Sequence, residues 1–316
     1  LALRLVDPAM GSGAFLVAAC RYLAGECEAA LIRDGDWRAN EVTSADRTGL
    51  RRAVAERCLY GVDLNPTAVQ LARLSLWLTT LASDRPLTFL DHHLMAGNSL
   101  IGARVADLAR PPSVPRRRQS GEPGPRLPFS EDEVAGVART RVIPERMRLA
   151  IDPSDSLDAV RLKERTLAAL VGFDGPFARW MAAADVWCAA LLWPGAQPSP
   201  ALIREGMAAA LGGVTALPST ALEAWRREAA AVARSHAVFH WDLAFPEVFF
   251  DVHGQSPVHA GFDAVIGNPP WDMVRADTGS ANNRETERAR AVSQLRFCRS
   301  SGAYNHQGQG QSNQYQ

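Results

Sequence analysis

The order of apolar and polar positions predicts a chain that opens with a strand, a turn and a helix. Residues 1–6 form an apolar run that ends at Asp7. Gly11 and Gly13 follow, and helical periodicity starts at Ala14. Apolar runs of this length favour a buried strand. Glycine lets the backbone approach a ligand closely, but it also marks ordinary turns, so the pattern alone leaves both interpretations of the turn open.

Periodicity predicts helices over residues 14–33, 44–58 and 66–82 in the first part of the chain. We expect the first helix to carry one apolar face, made of Phe15, Ala18, Ala19, Tyr22 and Leu23. The third helix carries leucines at helical spacing that we expect in the core, namely Leu71, Leu74, Leu78 and Leu81.

Two further strands are predicted next to polar residues. Residues 59–64 form a short apolar strand containing Asp63, with Asn65 as N-cap and Pro66 as the first helical residue. Residues 87–90 predict a third strand, which leads through Asp91 to adjacent histidines at 92 and 93. The two histidines are expected to fill a strand end rather than bind metal, because no carboxylate or cysteine stands at ligand spacing.

The middle of the chain has a different character. Residues 103–130 are rich in Pro, Arg and Gly, which indicates a loop whose Arg116–Arg118 triplet fits either phosphate contact or simple solvation. Helical patterns follow over residues 156–171, 176–193, 200–211 and 220–233, the last with a capping-box pair, Thr220 and Glu223. The tryptophans at 180, 187 and 193 are expected to pack in the core of a small helical bundle.

The last part of the chain returns to strand-compatible sequence. Residues 238–250 are aromatic, and residues 261–267 predict a buried strand that ends in Asn268-Pro269-Pro270-Trp271. The Gln/Asn/Gly-rich end has too little apolar content to order itself.

Composition narrows the functional classes. The 316 residues carry 34 basic and 34 acidic side chains, so nucleic-acid binding would need a local basic surface. The five cysteines form no Cys-x-x-Cys pair, which disfavours a zinc cluster and a disulfide framework and favours a reducing cytoplasm. No membrane span or signal peptide is recognisable. Because the chain starts within a strand and without Met, we expect a fragment of a longer protein.

Three polar strand ends are predicted to meet at one edge of a doubly wound sheet, where ligands bind. They are Asp7 with the glycine loop, Asp63, and Asn268. A dinucleotide site is disfavoured, because its acidic residue stands about 20 residues after the glycines, whereas Asp63 follows an extra helix. A P-loop is disfavoured because no Gly-Lys-Ser/Thr follows the glycines.

The motifs in their order resemble those of N6-adenine DNA methyltransferases. They are Asp7-Pro8-Ala9-Met10-Gly11-Ser12-Gly13-Ala14-Phe15-Leu16, Gly61-Val62-Asp63-Leu64-Asn65-Pro66, Gly97-Asn98-Ser99-Leu100-Ile101-Gly102, and Gly261-Phe262-Asp263 through Asn268-Pro269-Pro270-Trp271. The cofactor motif precedes the catalytic motif, as in the γ arrangement of large restriction-modification and phage-defence methylases. Ala184-Asp185-Val186-Trp187 and Phe239-His240-Trp241 also resemble stretches of that group.

The resemblance implies an S-adenosylmethionine site and no metal. The loop Pro8-Ala9-Met10-Gly11-Ser12-Gly13 would hold the methionine part, with Asp7 near its amino group and Phe15 beside it. Asp63 would bind the ribose hydroxyls. Asn98 would lie near the adenine, with Asp91 as the alternative, and Leu64 and Leu100 are also implied as cofactor-binding residues. Met10 stands where relatives commonly carry Cys.

The resemblance also implies the catalytic residues. The amino nitrogen of adenine is a poor nucleophile, because its lone pair is delocalised into the ring. Asn268 and Pro269 would accept hydrogen bonds from the two N–H groups, through a side-chain oxygen and a main-chain carbonyl. Pro270 stiffens this acceptor, and Trp271 would stack on an adenine flipped out of double-stranded DNA.

The predicted fold is an α/β, doubly wound, Rossmann-like methyltransferase sheet with a large helical insertion. Its parts are the cofactor-binding half (residues 1–102), the loop and helical insertion (103–237), the catalytic half (238–290) and a disordered or truncated tail (291–316). The segment that precedes the first strand in relatives, and a target-recognition region after Trp271, are not in this sequence. We therefore expect weak cofactor binding and poor methylation from the chain alone.

Two other functions stay open. Asn-Pro-Pro-aromatic serves any planar amide-like nitrogen, so the substrate could instead be RNA or a protein glutamine. A non-catalytic scaffold would contact DNA through the helical insertion and the arginine triplet. A nuclease or specificity module is expected as a partner, in the same chain or operon.

Overall fold

The structure is a computed structural model that describes residues 2–80, 90–109, 111–112, 156–172, 176–251, 253, 255–269 and 284–304. The chain divides into two compact units. The first unit takes its described residues from Leu1–Gly97, Ile143–Leu170 and Phe245–Asn268, and the second takes them from Asn98–Val142, Val171–Ala244 and Pro269–Gln316.

The first unit is built on a four-stranded parallel sheet, in which the strands stand in the order β3-β2-β1-β4. They are β1 (Leu5–Asp7), β2 (Leu59–Asp63), β3 (Leu94–Ala96) and β4 (Ala264–Val265). In the register of the sheet, Leu5 lies beside Leu59 on one side and Ala264 on the other. Strands β2 and β3 follow on one side of β1, and β4 lies on its other side. The strand order therefore changes direction between β1 and β4, and α/β sheets bind ligands at such a point.

Three helices of this unit agree with the sequence prediction, namely α1 (Ala14–Arg33), α2 (Ser44–Cys58) and α3 (Pro66–Thr79). Asn65 caps α3 by accepting a hydrogen bond from the N–H of Thr67, as predicted. Leucines from three strands pack with these helices in one core, and they are Leu5, Leu59 and Leu94. Tyr60 instead packs with Phe245 and Phe262, at ring centroid distances of 5.2 and 5.3 Å.

The predicted apolar face of α3 is wrong, and that of α1 is wrong in part, since only Ala19 and Leu23 of its five residues pack against the core. On α1, Phe15 and Tyr22 are 48% and 66% exposed, and the buried residues are Leu16, Cys20 and Ala24. On α3, the exposed leucines are Leu71, Leu74 and Leu78, and the buried residues are Val69, Ala72 and Leu76. The cause is close packing of small residues, since a Cβ on Gly13 would lie 3.0 Å from the Cβ of Ala72. Ala72 faces inward, whereas Leu71, Leu74 and Leu78 face outward; Leu81 lies outside the described residues.

Two strand predictions also need correction. The described third strand, β3, lies after the histidines; of the strand predicted over residues 87–90, only Leu90 is described, and it is buried outside any strand. The strand before Asn268 is an edge strand of the described sheet and has only two residues, of which Val265 is 67% exposed. It is therefore not the buried strand that its apolar sequence predicts.

After β3, the structure describes a 3₁₀ helix (Val105–Ala109) and seven more α-helices. They are α4 (Leu157–Val171), α5 (Pro176–Leu192), α6 (Pro200–Leu211), α7 (Ser219–Ser235), α8 (Trp241–Ala244), α9 (Pro246–Phe249) and α10 (Arg284–Ser300). The aromatic stretch therefore forms two short helices, residues 241–244 and 246–249, rather than the predicted strand, with Phe245 between them. Helix α7 begins after Pro218 without a side-chain cap, so the predicted pair of Thr220 and Glu223 is wrong.

The second unit is a helical bundle around α5, as predicted. Trp180 and Trp187 are buried, and Trp193 stacks on Trp225 at 5.8 Å. Phe297 of α10 is fully buried with its ring 6.4 Å from that of Trp187. This contact orders residues 291–300, for which the sequence predicted a disordered tail. The Arg116–Arg118 triplet and residues 305–316 lie outside the described residues.

Candidate active site

The glycine loop connects β1 to α1 and is fastened to the end of β2. Gly11 and Gly13 have φ angles of 53° and 83°, which favour glycine. The N–H of Met10 donates to the carbonyl of Val62 at 3.0 Å, and a Cβ on Gly61 would lie 2.3 Å from the Met10 sulfur. The methionine side chain therefore occupies the space that the glycine of β2 leaves open.

Asp63 ties this loop to the carboxyl end of β2. One of its oxygens, Oδ2, accepts a hydrogen bond from the N–H of Gly11 at 2.8 Å, and Oδ1 accepts one from the N–H of Asn65 at 2.8 Å. The neighbouring Leu64 is 53% exposed. Each carboxylate oxygen can accept more than one hydrogen bond, so Asp63 keeps acceptor capacity for a ligand.

Asp7 is buried at the end of β1 with one oxygen satisfied. Its Oδ1 accepts a hydrogen bond from the N–H of Ala9 at 3.0 Å. Its Oδ2 is buried and has no hydrogen-bond partner in the described part of the chain. Burial raises the pKa of Asp7 to about 6, against the lowering effect of the Ala9 N–H, and the charge of Asp63 raises it further. An unsatisfied buried carboxylate oxygen is costly, and a cationic donor would remove that cost.

The structure brings Gly267, the residue before Asn268, beside Asp7. A Cβ on Gly267 would lie 2.6 Å from Oδ1 of Asp7, so a larger residue at position 267 would have to displace this carboxylate. Asn268, the next residue, is exposed at the end of β4, and Pro269 is half-buried. Pro270 and Trp271 lie outside the described residues. The sequence analysis missed Gly267, although a glycine directly before Asn268 was the available signal.

The other predicted cofactor residues are placed as follows. Pro8 and Ala9 are half-buried, and Phe15 is exposed on the first turn of α1. Asn98 and Leu100 belong to the second unit, where the Asn98 Oδ1 accepts a hydrogen bond from the N–H of Leu100 at 3.1 Å. The alternative to Asn98, Asp91, forms an ion pair with Arg73 at 2.8 Å.

The adjacent histidines lie in the interior of the first unit. Their rings are 4.0 Å apart, and the ring of His93 is 4.0 Å from that of Tyr60. The Nε2 of His93 is 3.7 Å from Oε1 of the buried Glu247, which the sequence analysis did not single out. These contacts are core packing rather than the expected strand end. Among the described residues, no three His, Cys, Asp or Glu side chains are grouped so that they could hold a metal ion.

No described helix is long and apolar enough to cross a membrane.

Comparison with known proteins identifies the family to which the chain belongs. No curated protein and no solved structure gives a significant match. A model of the MmeI DNA-methyltransferase domain matches residues 1–94, which include the glycine loop and Asp63. A model of the Eco57I restriction-modification methylase matches residues 57–297, about three quarters of the chain. The chain therefore belongs to the Eco57I restriction-modification methylase family, a family of DNA methyltransferases.

Proposed function

We propose that this protein transfers a methyl group from S-adenosylmethionine to the N6 amino group of adenine in DNA, within a restriction-modification or phage-defence system. One observation carries the proposal. The buried carboxylate of Asp7, at the end of the glycine loop, packs directly against Gly267, one residue before Asn268. A cofactor loop and an acceptor motif for an amino group thus meet where the sheet reverses between β1 and β4.

The residues of the first unit fit the cofactor. Its amino group is a cationic donor, and the buried Oδ2 of Asp7 is an acceptor with no partner among the described residues. Asp63 keeps acceptor capacity for ribose hydroxyls, and the backbone of Gly11 and Gly13 admits close approach. When bound, S-adenosylmethionine supplies an electrophilic methyl group on a sulfonium. Leu64 and Phe15 present exposed apolar surface, and Asn98 with Leu100 is proposed for the adenine.

Asn268 and Pro269 hold the amino group of the target base. The side-chain oxygen of Asn268 accepts one N–H and the main-chain carbonyl of Pro269 accepts the other, which draws the lone pair away from the ring. Proline at 269 and 270 removes competing N–H donors. Trp271 stacks on the flipped adenine and offsets part of the unstacking energy of a few kcal/mol.

The wider assignments follow from the same motifs. The strand order β3-β2-β1-β4 supports a doubly wound, Rossmann-like sheet, and the cofactor motif before Asn268 supports the γ arrangement. We keep the division into a cofactor-binding half (1–102), an insertion (103–237) and a catalytic half (238–290) as part of the proposal. The partners are double-stranded DNA and a nuclease or specificity module, and the location is cytoplasmic.

A labelled-methyl assay tests the proposal. The purified protein is incubated with methyl-labelled S-adenosylmethionine and duplex DNA that contains adenine. Label should enter the DNA, and Asn268→Ala should reduce the transfer rate at least about a hundredfold, as loss of one preorganised polar group does in other active sites. Binding of S-adenosylmethionine to this variant, measured by calorimetry, should stay unchanged. Transfer at the normal rate by Asn268→Ala would contradict the mechanism.

Two further measurements distinguish the proposed function from the two other functions. RNA and a glutamine-containing protein are offered in competition with DNA, and label in either one would move the proposal to that substrate. Calorimetry with S-adenosylmethionine tests the scaffold interpretation, because a scaffold would bind none.

A further inference from the structure

Helix α1 of the first unit carries a second face of small and apolar residues, which points away from the core. Its core-facing side contains Leu16, Cys20 and Ala24, which are buried. The opposite side is exposed and contains four residues spaced alternately four and three positions apart, namely Ala18, Tyr22, Gly25 and Ala29. We call these four residues the α1 seam. Their spacing is the a and d pattern of a heptad, which is typical of a helix that packs against another helix.

The side chains of the α1 seam suit close contact with a second helix. Glycine in the interior of a helix is destabilising relative to alanine. Nothing in the described part of the chain requires glycine at position 25, because a Cβ there would meet no atom within 4 Å. Tyr22 is 66% exposed, although an aromatic ring of this kind is a common anchor of interfaces. A helix that approaches closely at Gly25 and covers Tyr22 accounts for both observations.

Two residues of opposite charge flank the α1 seam on opposite sides. Arg21 directly precedes Tyr22, Glu26 directly follows Gly25, and both are exposed. With the seam at the a and d positions, Arg21 stands at position g and Glu26 at position e of the next heptad. These two positions face each other across a parallel pair of helices and form ion pairs between them. The charge pattern of α1 is therefore complementary to that of a second α1.

Both charges are free for such a pair. Neither Arg21 nor Glu26 forms an ion pair or a side-chain hydrogen bond within the described part of the chain. The other acidic residue of α1, Glu28, is already held by Arg47 of α2, with 2.9 Å between Nη2 and Oε1. Glu26 is thus the acidic residue of α1 that can pair with a partner.

The surface beside Arg21 adds contact area to the α1 seam. A groove of about 380 Å³ between α1 and α3 is lined by Val17 and Arg21 on one side and by Ser75 and Leu78 on the other. Leu78 is 58% exposed. A partner helix whose Glu26 reaches Arg21 would also cover Leu78. This addition matters, because a stable interface buries roughly 800 Å² of each partner, more than one face of one helix supplies.

We propose that the protein forms a symmetric dimer, in which the α1 helices of two copies pack in parallel along the α1 seam. Arg21 of each copy pairs with Glu26 of the other. This inference does not depend on the proposed function, because neither the seam nor its flanking charges include a residue assigned to the cofactor or the target base. Since α1 begins at the glycine loop, the two glycine loops lie at the same end of the dimer.

Sedimentation equilibrium of charge variants tests this interface. The unaltered protein should form a dimer at micromolar concentrations. Arg21→Glu and Glu26→Arg should each raise the dimer Kd about tenfold, because each puts like charges together at two symmetric positions. Arg57→Glu is the matched control, since it makes the same charge change at an exposed position of α2, and it should leave the Kd unchanged. A protein that stays monomeric, or an equal effect of Arg21→Glu and Arg57→Glu, would overturn the proposal.

Exchange of the two charges tests the parallel pairing itself. The double variant Arg21→Glu/Glu26→Arg should regain the Kd of the unaltered protein. A mixture of the two single variants should form a heterodimer with that same Kd, because one chain then carries two acidic residues and the other two basic ones. A double variant as weak as the single variants, or a mixture without a heterodimer, would contradict the pairing.

A third substitution tests the α1 seam without any change of charge. Tyr22→Ser removes the exposed aromatic ring and should raise the dimer Kd at least about tenfold. Circular dichroism checks that each variant is folded. If a charge variant does not fold, Tyr22→Ser decides the question, and an unchanged Kd for this variant would overturn the proposal.

Discussion

At the scale of single residues, the candidate site contains a buried acidic side chain, Asp7, whose charged form is disfavoured by burial. Its side chain is buried with Oδ2 unsatisfied among the described residues, and burial raises its pKa to about 6. Below this pH the free protein carries a neutral Asp7, and above it the buried carboxylate is ionised. A cationic ligand favours the ionised form, so binding below the raised pKa requires loss of a proton.

The first prediction concerns the pH dependence of cofactor affinity. The Kd for S-adenosylmethionine should stay level above the Asp7 pKa of about 6. It should increase by up to about tenfold for each pH unit below that value. Calorimetry between about pH 5 and pH 7.5 measures this dependence. Asp7→Asn should bind more weakly, with a Kd that no longer changes with pH, and a pH-independent Kd in the unaltered protein would contradict the assignment.

Gly267 supplies the second prediction, with Gly261 as a matched control. Both have positive φ angles, 154° and 131°, but only at Gly267 does a Cβ meet another atom, namely Oδ1 of Asp7 at 2.6 Å. Alanine at either position should cost about 1–3 kcal/mol of unfolding free energy from backbone strain. Gly267→Ala should also raise the Kd for S-adenosylmethionine at least about tenfold, because it displaces Asp7. Equal Kd values for the two variants would show that Asp7 and Gly267 do not act together.

At the scale of elements, helix bounds followed from the sequence and helix faces did not. Asn65-Pro66 marks the start of α3 through local chemistry, which is written in the sequence. Which face of α3 is buried depends on the contact of Gly13 with Ala72, residues far apart in the chain. Leucine spacing fits either face, so periodicity selected the wrong one. Strands of two or three residues, such as β3 and β4, are too short to show a period.

The third prediction tests the corrected face of α3 with one substitution at two positions. Leu76 is fully buried, and Leu74 is 47% exposed. Leu76→Ala should lower the free energy of unfolding by about 2–5 kcal/mol, because it leaves a cavity. Leu74→Ala should change it by less than about 1 kcal/mol. Urea unfolding followed by circular dichroism measures both, and the reverse order would restore the face that periodicity predicted.

At the scale of the whole molecule, the motifs predict where the candidate site lies, and the tertiary contacts show which of its residues pack together. Asp7, Asp63 and Asn268 follow strands, and parallel strands bring their carboxyl ends to one edge, so the topology alone predicts that they meet. The packing of Gly267 on Asp7, and of His240 between Asp185 and Ala103, joins residues that no local pattern connects. The family match over residues 57–297 supports a DNA methyltransferase and leaves the target atom to the geometry of Asn268.

The identity of the methylated atom distinguishes transfer to adenine N6 from other methylation of DNA. DNA is incubated with the protein and methyl-labelled S-adenosylmethionine, digested to nucleosides and resolved by mass spectrometry. We predict that the label appears in N6-methyl-2′-deoxyadenosine and that it falls at least about a hundredfold when Asn268 is replaced by alanine. Label in a methylated cytosine, or N6-methyladenine formed equally well by Asn268→Ala, would contradict the account.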